Sequence, residues 1–232
     1  MTQPSPRDPT RIQALFAGIV RRYDLVNRLM SMGMDVGWRA VAADLVTSAP
    51  PGPILDVGIG TGDLALAVTR RNRRVVGADF CRPMLQAAQC KIATKSPSPA
   101  PALVEGDALA LPFPDATFAA AMAGFSLRNV VNLDRALQEA WRMTVPGGRL
   151  VCLEMVPPQR LRWAHRLYQD LAMPTLGACF GGAVGAYCYL PVSIRAFPSA
   201  KALRQRMEQA GWQRVCYRTL ALGAVAVHVG ER

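Results

Sequence analysis

Three glycines at alternate positions, Gly58, Gly60 and Gly62, separate a short apolar run, Ile54-Leu55-Asp56-Val57, from a stretch that reads as a helix from about Asp63. Glycine permits a tight turn and lets the backbone approach a ligand with no Cβ in the way. An apolar strand, a glycine turn and a helix form the opening unit of a doubly wound α/β sheet. The rest of the chain keeps that rhythm. Val75–Ala78 reads as a second strand ending at Asp79, and Pro83 suits the first turn of a helix running to about Thr94. After the loop 95–102, strands are expected at Leu103-Val104, Phe118–Gly124 and Leu150–Leu153, with a helix from Leu133 and a turn at Pro146-Gly147-Gly148. A helix from Ser199 to Ala210, stopped by Gly211, and two closing strands at about 213–219 and 222–229 complete a mainly parallel, seven-stranded sheet in a single domain over 1–232. Before the sheet, Ile12, Leu15, Phe16, Ile19, Val20 and Tyr23 fall at helical spacing, and a second helix is expected over Trp38–Val46. Residues 1–10 read as a flexible, Pro-rich arm. Leu161–Phe197 reads as an apolar, Gly-rich helical insertion covering a substrate.

The ligand of the turn follows from its acids. A dinucleotide fingerprint is G-x-G-x-x-G with pyrophosphate on the helix N-terminus. Here the spacing is G-x-G-x-G, and Asp63 stands at that N-terminus. A carboxylate there repels pyrophosphate and tolerates an amino group and a sulfonium, which favours S-adenosyl-L-methionine. Asp79, at the end of the second strand, suits the two ribose hydroxyls. Gly106-Asp107-Ala108, after the third, suits the adenine amino group. One carboxylate after a strand is ordinarily a helix cap; acids at three successive strand ends are not explained so simply.

Other bulk features exclude more than they specify. The net charge of +11 comes from 27 Lys and Arg against 16 Asp and Glu. Such a balance suits nucleic acid, an anionic membrane or an anionic substrate. No aromatic–basic interleaving accompanies it, so no nucleic-acid partner is expected. The densest cluster, Arg70, Arg71, Arg73 and Arg74, reads as a solvated helix end. The six cysteines lack C-x-x-C spacing, and with two histidines no metal site is expected. Of these histidines, His228 reads as a satisfied core residue and His165 as exposed. No apolar run is long enough to span a membrane, and the N-terminus lacks a signal core, so a cytoplasmic location is expected.

Several segments together resemble the UbiE/COQ5 family of quinone-pathway C-methyltransferases, over about Phe16 to Gly230. They are Tyr23-Asp24-Leu25-Val26-Asn27-Arg28-Leu29-Met30 with Trp38, Leu109–Phe118, Arg128-Asn129-Val130, Pro146–Leu150 with Glu154, Tyr189-Leu190 and Gly223–His228. The resemblance implies a class I methyltransferase fold and a polyprenylated quinol substrate, most plainly demethylmenaquinol, with the ubiquinone-precursor benzoquinol as the alternative. It implies cofactor contacts at Thr61, Asp79, Asp107 and Ala108, beside the turn glycines. The family reads Ser-Phe-Gly-Leu-Arg-Asn where this chain reads Gly124-Phe125-Ser126-Leu127-Arg128-Asn129, so either Ser126 or backbone is expected to replace the family's serine contact. Cys188 also stands where arginine is usual. Arg128 and Asn129 are expected beside the sulfonium, acting on a hydroquinone oxygen that Tyr23 also bonds. The ordinary alternatives are Arg128 as a buried structural cation and Tyr23 as a core-edge residue. The apolar insertion is expected to cover the prenylated ring, touch the inner membrane face peripherally, or form a homodimer. Another aromatic metabolite, a macromolecular acceptor and a non-enzymatic cofactor-binding factor complete the competing readings.

Overall fold

The computed structural model describes residues 8–158, 167–168, 175 and 184–232. Helix α1 spans Pro9–Ile19, and the Asp8 side chain caps it by accepting from the Arg11 N–H at 3.1 Å. The expected arm therefore ends earlier than residue 10. Proline's fixed φ suits the first helical position, and the Asp8 carboxylate satisfies one of the N–H groups left open there. A 3-10 turn, Val20–Arg22, leads to α2, Tyr23–Met30, and Gly33 then opens α3, Met34–Thr47. Helix α2, which the apolar spacing does not reveal, buries only Val26 and Met30, one turn apart.

The sheet has the strand order β3-β2-β1-β4-β5-β7-β6. Its strands are β1 Ile54–Val57, β2 Val75–Asp79, β3 Ala102–Glu105, β4 Phe118–Gly124, β5 Thr144–Met155, β6 Gln213–Leu220 and β7 Val225–Glu231. Strands β1 to β5 pair in parallel, and β7 runs antiparallel to both β5 and β6. The crossovers are α4 Asp63–Thr69, α5 Arg82–Lys95, α6 Leu133–Met143, and α7 Val184–Ala196 followed by α8 Ala200–Gln209. The chain winds outward from β1 to β3 and then returns to β4 on the other side of β1. That reversal opens a crevice at the strands' carboxyl ends, where ligands bind in such sheets. The expected turn at Pro146-Gly147-Gly148 lies inside β5. Phe118 pairs with Thr144 but Ala120 with Arg149, so the intervening residues bulge, with Gly147 at φ +76°.

Both faces of the sheet are packed. Leu137, Met143, Leu203, Met207 and Trp212 fill one side, and Ala43, Val46, Leu64, Ala65 and Val68 the other. The arginine cluster is only in part a solvated helix end: Arg70 and Arg74 are exposed, whereas Arg71 and Arg73 are partly buried. Arg73 donates to the carbonyls of Thr47, Ala49, Pro50 and Gly52, and Arg71 joins the Ala67 carbonyl to Asp44. Arg73 thus ties off the connection between α3 and β1, and Arg71 ties α4 to α3. His228 is fully buried; Nε2 donates to the Ala200 carbonyl at 2.8 Å, the ring stacks on Tyr217, and Nδ1 has no partner among the described residues. Burial pushes its pKa down to about 4. His165 and the glycines of the insertion at 177, 181 and 182 lie outside the described residues.

Candidate active site

The crevice is built on the glycine turn. Gly58, Gly60 and Gly62 adopt left-handed φ of +73°, +56° and +87°. A Cβ on Gly58 would lie 2.4 Å from the Ser126 Cβ, so the segment after β4 closes over the turn only because Gly58 has none. The Ser126 hydroxyl donates to the Val57 carbonyl at 2.7 Å. It lines the crevice and retains lone pairs with which to accept. At Gly124 a Cβ would meet the Leu64 side chain at 2.9 Å.

Asp79 pins the turn from below. Its carboxylate accepts from Gly60 N at 2.8 Å and Cys81 N at 2.9 Å while only 8% exposed. Burial raises its pKa, and these backbone N–H groups oppose the rise. Each oxygen keeps a free lone pair for a vicinal diol. Asp107 is exposed at the crevice edge, with Oδ1 accepting from Leu109 N at 2.9 Å and Oδ2 left for an exocyclic amine; Ala108 lines the crevice beside it. Asp56, which the motif reading passes over, forms the floor. Burial, with the charge of Asp79 adding, pushes its pKa up to about 8, and Oδ2 is buried without a partner among the described residues.

Asp63 is not a bare charge. Lys91 Nζ reaches Asp63 at 2.7 Å, Asp24 at 2.5 Å and the Thr61 hydroxyl at 3.1 Å, and Thr61 donates to Asp24 at 2.6 Å. Two carboxylates against one ammonium leave a net negative charge, so the site still disfavours pyrophosphate, through the group rather than Asp63 alone. The network also fastens α2 to the glycine turn. From the same side Pro9, Phe16 and Tyr23 line the crevice, with Phe16 and Tyr23 edge to face at 6.0 Å.

A second cavity adjoins this one. Its wall is mostly apolar: Met30, Met34, Trp38, Met155, Leu190 and Val225. Tyr23, Arg39 and Phe125 line both cavities. The 3-10 turn Leu127–Asn129 sends its residues apart. Asn129 lines the first cavity and meets the Tyr189 hydroxyl at 3.4 Å, whereas Arg128 lines the second. Sequence reasoning placed them side by side. Arg128 is 6% exposed; Nη1 donates to Glu154 at 2.6 Å and to the Phe125 carbonyl at 2.7 Å, and Nε has no partner among the described residues. Burial alone would lower its pKa, but Glu154 more than compensates, and the net direction is up. Desolvation raises the pKa of Tyr23, against the nearby charges of Arg128 and Arg39.

A left-handed glycine turn held by a buried acid, a net negative helix start and this sheet order are those of a class I S-adenosylmethionine-dependent methyltransferase. The fold superposes on a SAM-dependent methyltransferase from Thermotoga maritima with TM-score 0.67 and 20% identity, covering 95% of this chain and 99% of that one. Residues 6–232 match the ubiE/COQ5 methyltransferase family, and the chain belongs to it. Among its relatives is the demethylmenaquinone methyltransferase of Thermus thermophilus, 45% identical over 94% of this chain and all of that one. That of Deinococcus radiodurans is 43% identical over 95% and 92%.

Proposed function

We propose that the chain transfers a methyl group from S-adenosylmethionine to a ring carbon of demethylmenaquinol, and that it works as one methyltransferase domain. The observation that carries this reading is the apolar second cavity adjoining the cofactor crevice at Tyr23, Arg39 and Phe125. A prenylated bicyclic ring needs such a wall, and the relatives carrying the activity in their names match almost the whole chain. Gly58, Gly60, Thr61, Gly62, Asp79, Asp107, Ala108 and Ser126 would hold the cofactor, which supplies an electrophilic methyl when bound. Tyr23 and Asn129 stand at the edge of the reacting centre, and Arg128, held by Glu154, lines the ring pocket as a positioned donor to the quinol oxygen. Alignment of ring carbon and methyl can supply up to about 7–11 kcal/mol of the barrier. A positioned base adds about 10²–10⁴-fold.

Transfer of labelled methyl to demethylmenaquinol and to the ubiquinone-precursor benzoquinol, side by side, tests the substrate. Faster turnover of the benzoquinol would reverse the choice, and label in neither would remove both. Peripheral contact with the inner membrane face fits the same reading. Met32 and Leu222, 76% and 71% exposed, line the second cavity, and the chain carries +11 of net charge. Among the described residues no helix is long and apolar enough to cross a membrane. Flotation with phosphatidylglycerol vesicles, lost in a Met32→Glu/Leu222→Glu double variant, is the expected outcome. Sedimentation of the free protein as a dimer whose dissociation follows the same substitutions would assign that rim to a homodimer instead.

A further inference from the structure

Arg39 belongs to no motif of the sequence, yet it stands where the two cavities meet. We propose that Arg39 holds the oxygen of the acceptor ring as it becomes a phenolate, a catalytic role that rests on the quinol reading above. Among the described residues lining both cavities, Tyr23, Arg39 and Phe125, it alone carries a fixed charge. Its side chain is 13% exposed. It is held by Asp35, which is 5% exposed and itself accepts from Ser31 Oγ at 2.9 Å and pairs with Arg28 at 3.5 Å. The guanidinium lies over the Phe125 ring, 5.5 Å from its centroid. It is therefore oriented before any ligand arrives.

Its charge is also available. Arg128 and Glu154 form a matched pair, so that side of the second cavity is close to neutral. Around Arg39 two cations, Arg28 and Arg39, face one carboxylate, Asp35. Only Nη1 of Arg39 makes a hydrogen bond among the described residues, leaving donors free on a planar fork. The other charged or titratable groups around it are Tyr23 on α2, Asp56 at the end of β1 and Asp63 at the start of α4. The acids lie towards the cofactor turn, where they suit a cationic ligand and discourage an anion. An oxygen gaining negative charge where the two cavities meet thus has the Arg39 guanidinium on its wall, with donors to spare.

The chemistry needs such a group. The phenolic proton leaves to solvent, and the ring carbon ortho to the oxygen forms a bond to the methyl carbon. The carbon–sulfur bond breaks with its electron pair going to sulfur. The proton on the methylated carbon then returns to the oxygen as the ring regains aromaticity, so one proton is released overall. Stabilising the phenolate lowers the first barrier, and a preorganised donor at developing charge is worth about 10²–10³-fold.

The test compares Arg39→Gln and Arg39→Lys with the unaltered protein. We expect cofactor dissociation constants within about twofold for both variants. At saturating demethylmenaquinol, kcat should fall by about 10²–10³-fold in Arg39→Gln, recover substantially in Arg39→Lys, and rise with pH more steeply in the glutamine variant. A kcat in Arg39→Gln within threefold of the unaltered protein would overturn the proposal. So would weakened cofactor binding with unchanged saturated kcat, which would make Arg39 the partner of the cofactor carboxylate. If the glutamine variant does not fold, the unaltered protein decides. With S-adenosylhomocysteine in place, bound 1-naphthol should titrate to its phenolate, read by absorbance, at least one pH unit below its value in water. An unshifted titration would sink the role. That titration requires no methyl transfer, so it stands apart from failure of the quinol assay.

Discussion

Replacing Glu154 by glutamine isolates the charge that balances Arg128. Glu154 is 1% exposed, and its carboxylate accepts three N–H groups: Arg128 Nη1 at 2.6 Å, Met155 N at 2.9 Å and Arg128 N at 3.2 Å. An amide of the same shape keeps one acceptor oxygen and turns an NH₂ towards a donor, so one backbone N–H loses its partner. Unsatisfied buried groups cost about 1–3 kcal/mol each. The greater cost falls on the guanidinium, 6% exposed and left without a counter-charge. Removing one member of a buried ion pair costs about 3–5 kcal/mol in total. For a domain of this size that corresponds to a melting point about 6–20 °C lower. Urea denaturation followed by circular dichroism measures the loss directly. Adding Arg128→Met removes the orphaned charge and should return much of the stability, giving a coupling of about 2 kcal/mol in the double-mutant cycle. A single-variant loss under about 1 kcal/mol, or coupling indistinguishable from zero, would refute the view that Glu154 is there to balance Arg128.

Three further outcomes are expected. Gly58→Ala should weaken cofactor binding at least about tenfold, since its Cβ would meet Ser126 at 2.4 Å on a left-handed backbone. Adding Ser126→Gly should recover part of the loss by calorimetry, and no recovery would mean that backbone strain alone is responsible. Asp79→Asn loses one acceptor and its charge, and should raise the cofactor dissociation constant about ten- to a hundredfold; unchanged affinity would remove Asp79 from the ribose site. His228 has a folded pKa of about 4, below the ordinary histidine value of 6.5, so the fold selects the neutral ring. That contribution is present above pH 6.5 and is lost as pH falls towards 4, about 3 kcal/mol over the window. Denaturation at pH 7 and pH 4 should show a smaller pH-dependent loss in His228→Gln, and equal losses in both proteins would contradict it.

The sheet's centre was legible because β1, β2 and β4 are short apolar runs that Gly58, Asp79 and Gly124 bring to an end, a local signal that tertiary packing does not override. The cofactor turn was legible for the same reason: Gly58 to Asp63 and Asp79 are local marks at strand ends. Helix α2 was not, because only Val26 and Met30 of its residues are buried and the rest face ligand cavities or solvent. Arg39 and Lys91 were missed because each sits on an ordinary-looking helix. Arg39 pairs locally with Asp35, but the Phe125 ring beneath it and the Asp24, Thr61 and Asp63 groups around Lys91 come from distant parts of the chain. The Pro146-Gly147-Gly148 segment carried a true turn signal that β5 absorbs as a bulge. Arg128 and Asn129 were read as neighbours acting together, but one 3-10 turn is enough to send adjacent side chains into different cavities.

The carbonyl-gathering arginines bear on how a high isoelectric point should be understood. Arg73 closes four backbone oxygens with one guanidinium, and Arg232 bridges the carbonyls of Arg142 and Thr144 while lying over the Trp141 ring. Exchanging such residues for lysine would leave the isoelectric point near 10.0 almost untouched, yet it would discard the flat, many-toothed clasp that holds the loop ends. Here part of the basicity is mortar between secondary-structure elements, and electrophoretic behaviour alone would be a poor guide to what this surface attracts.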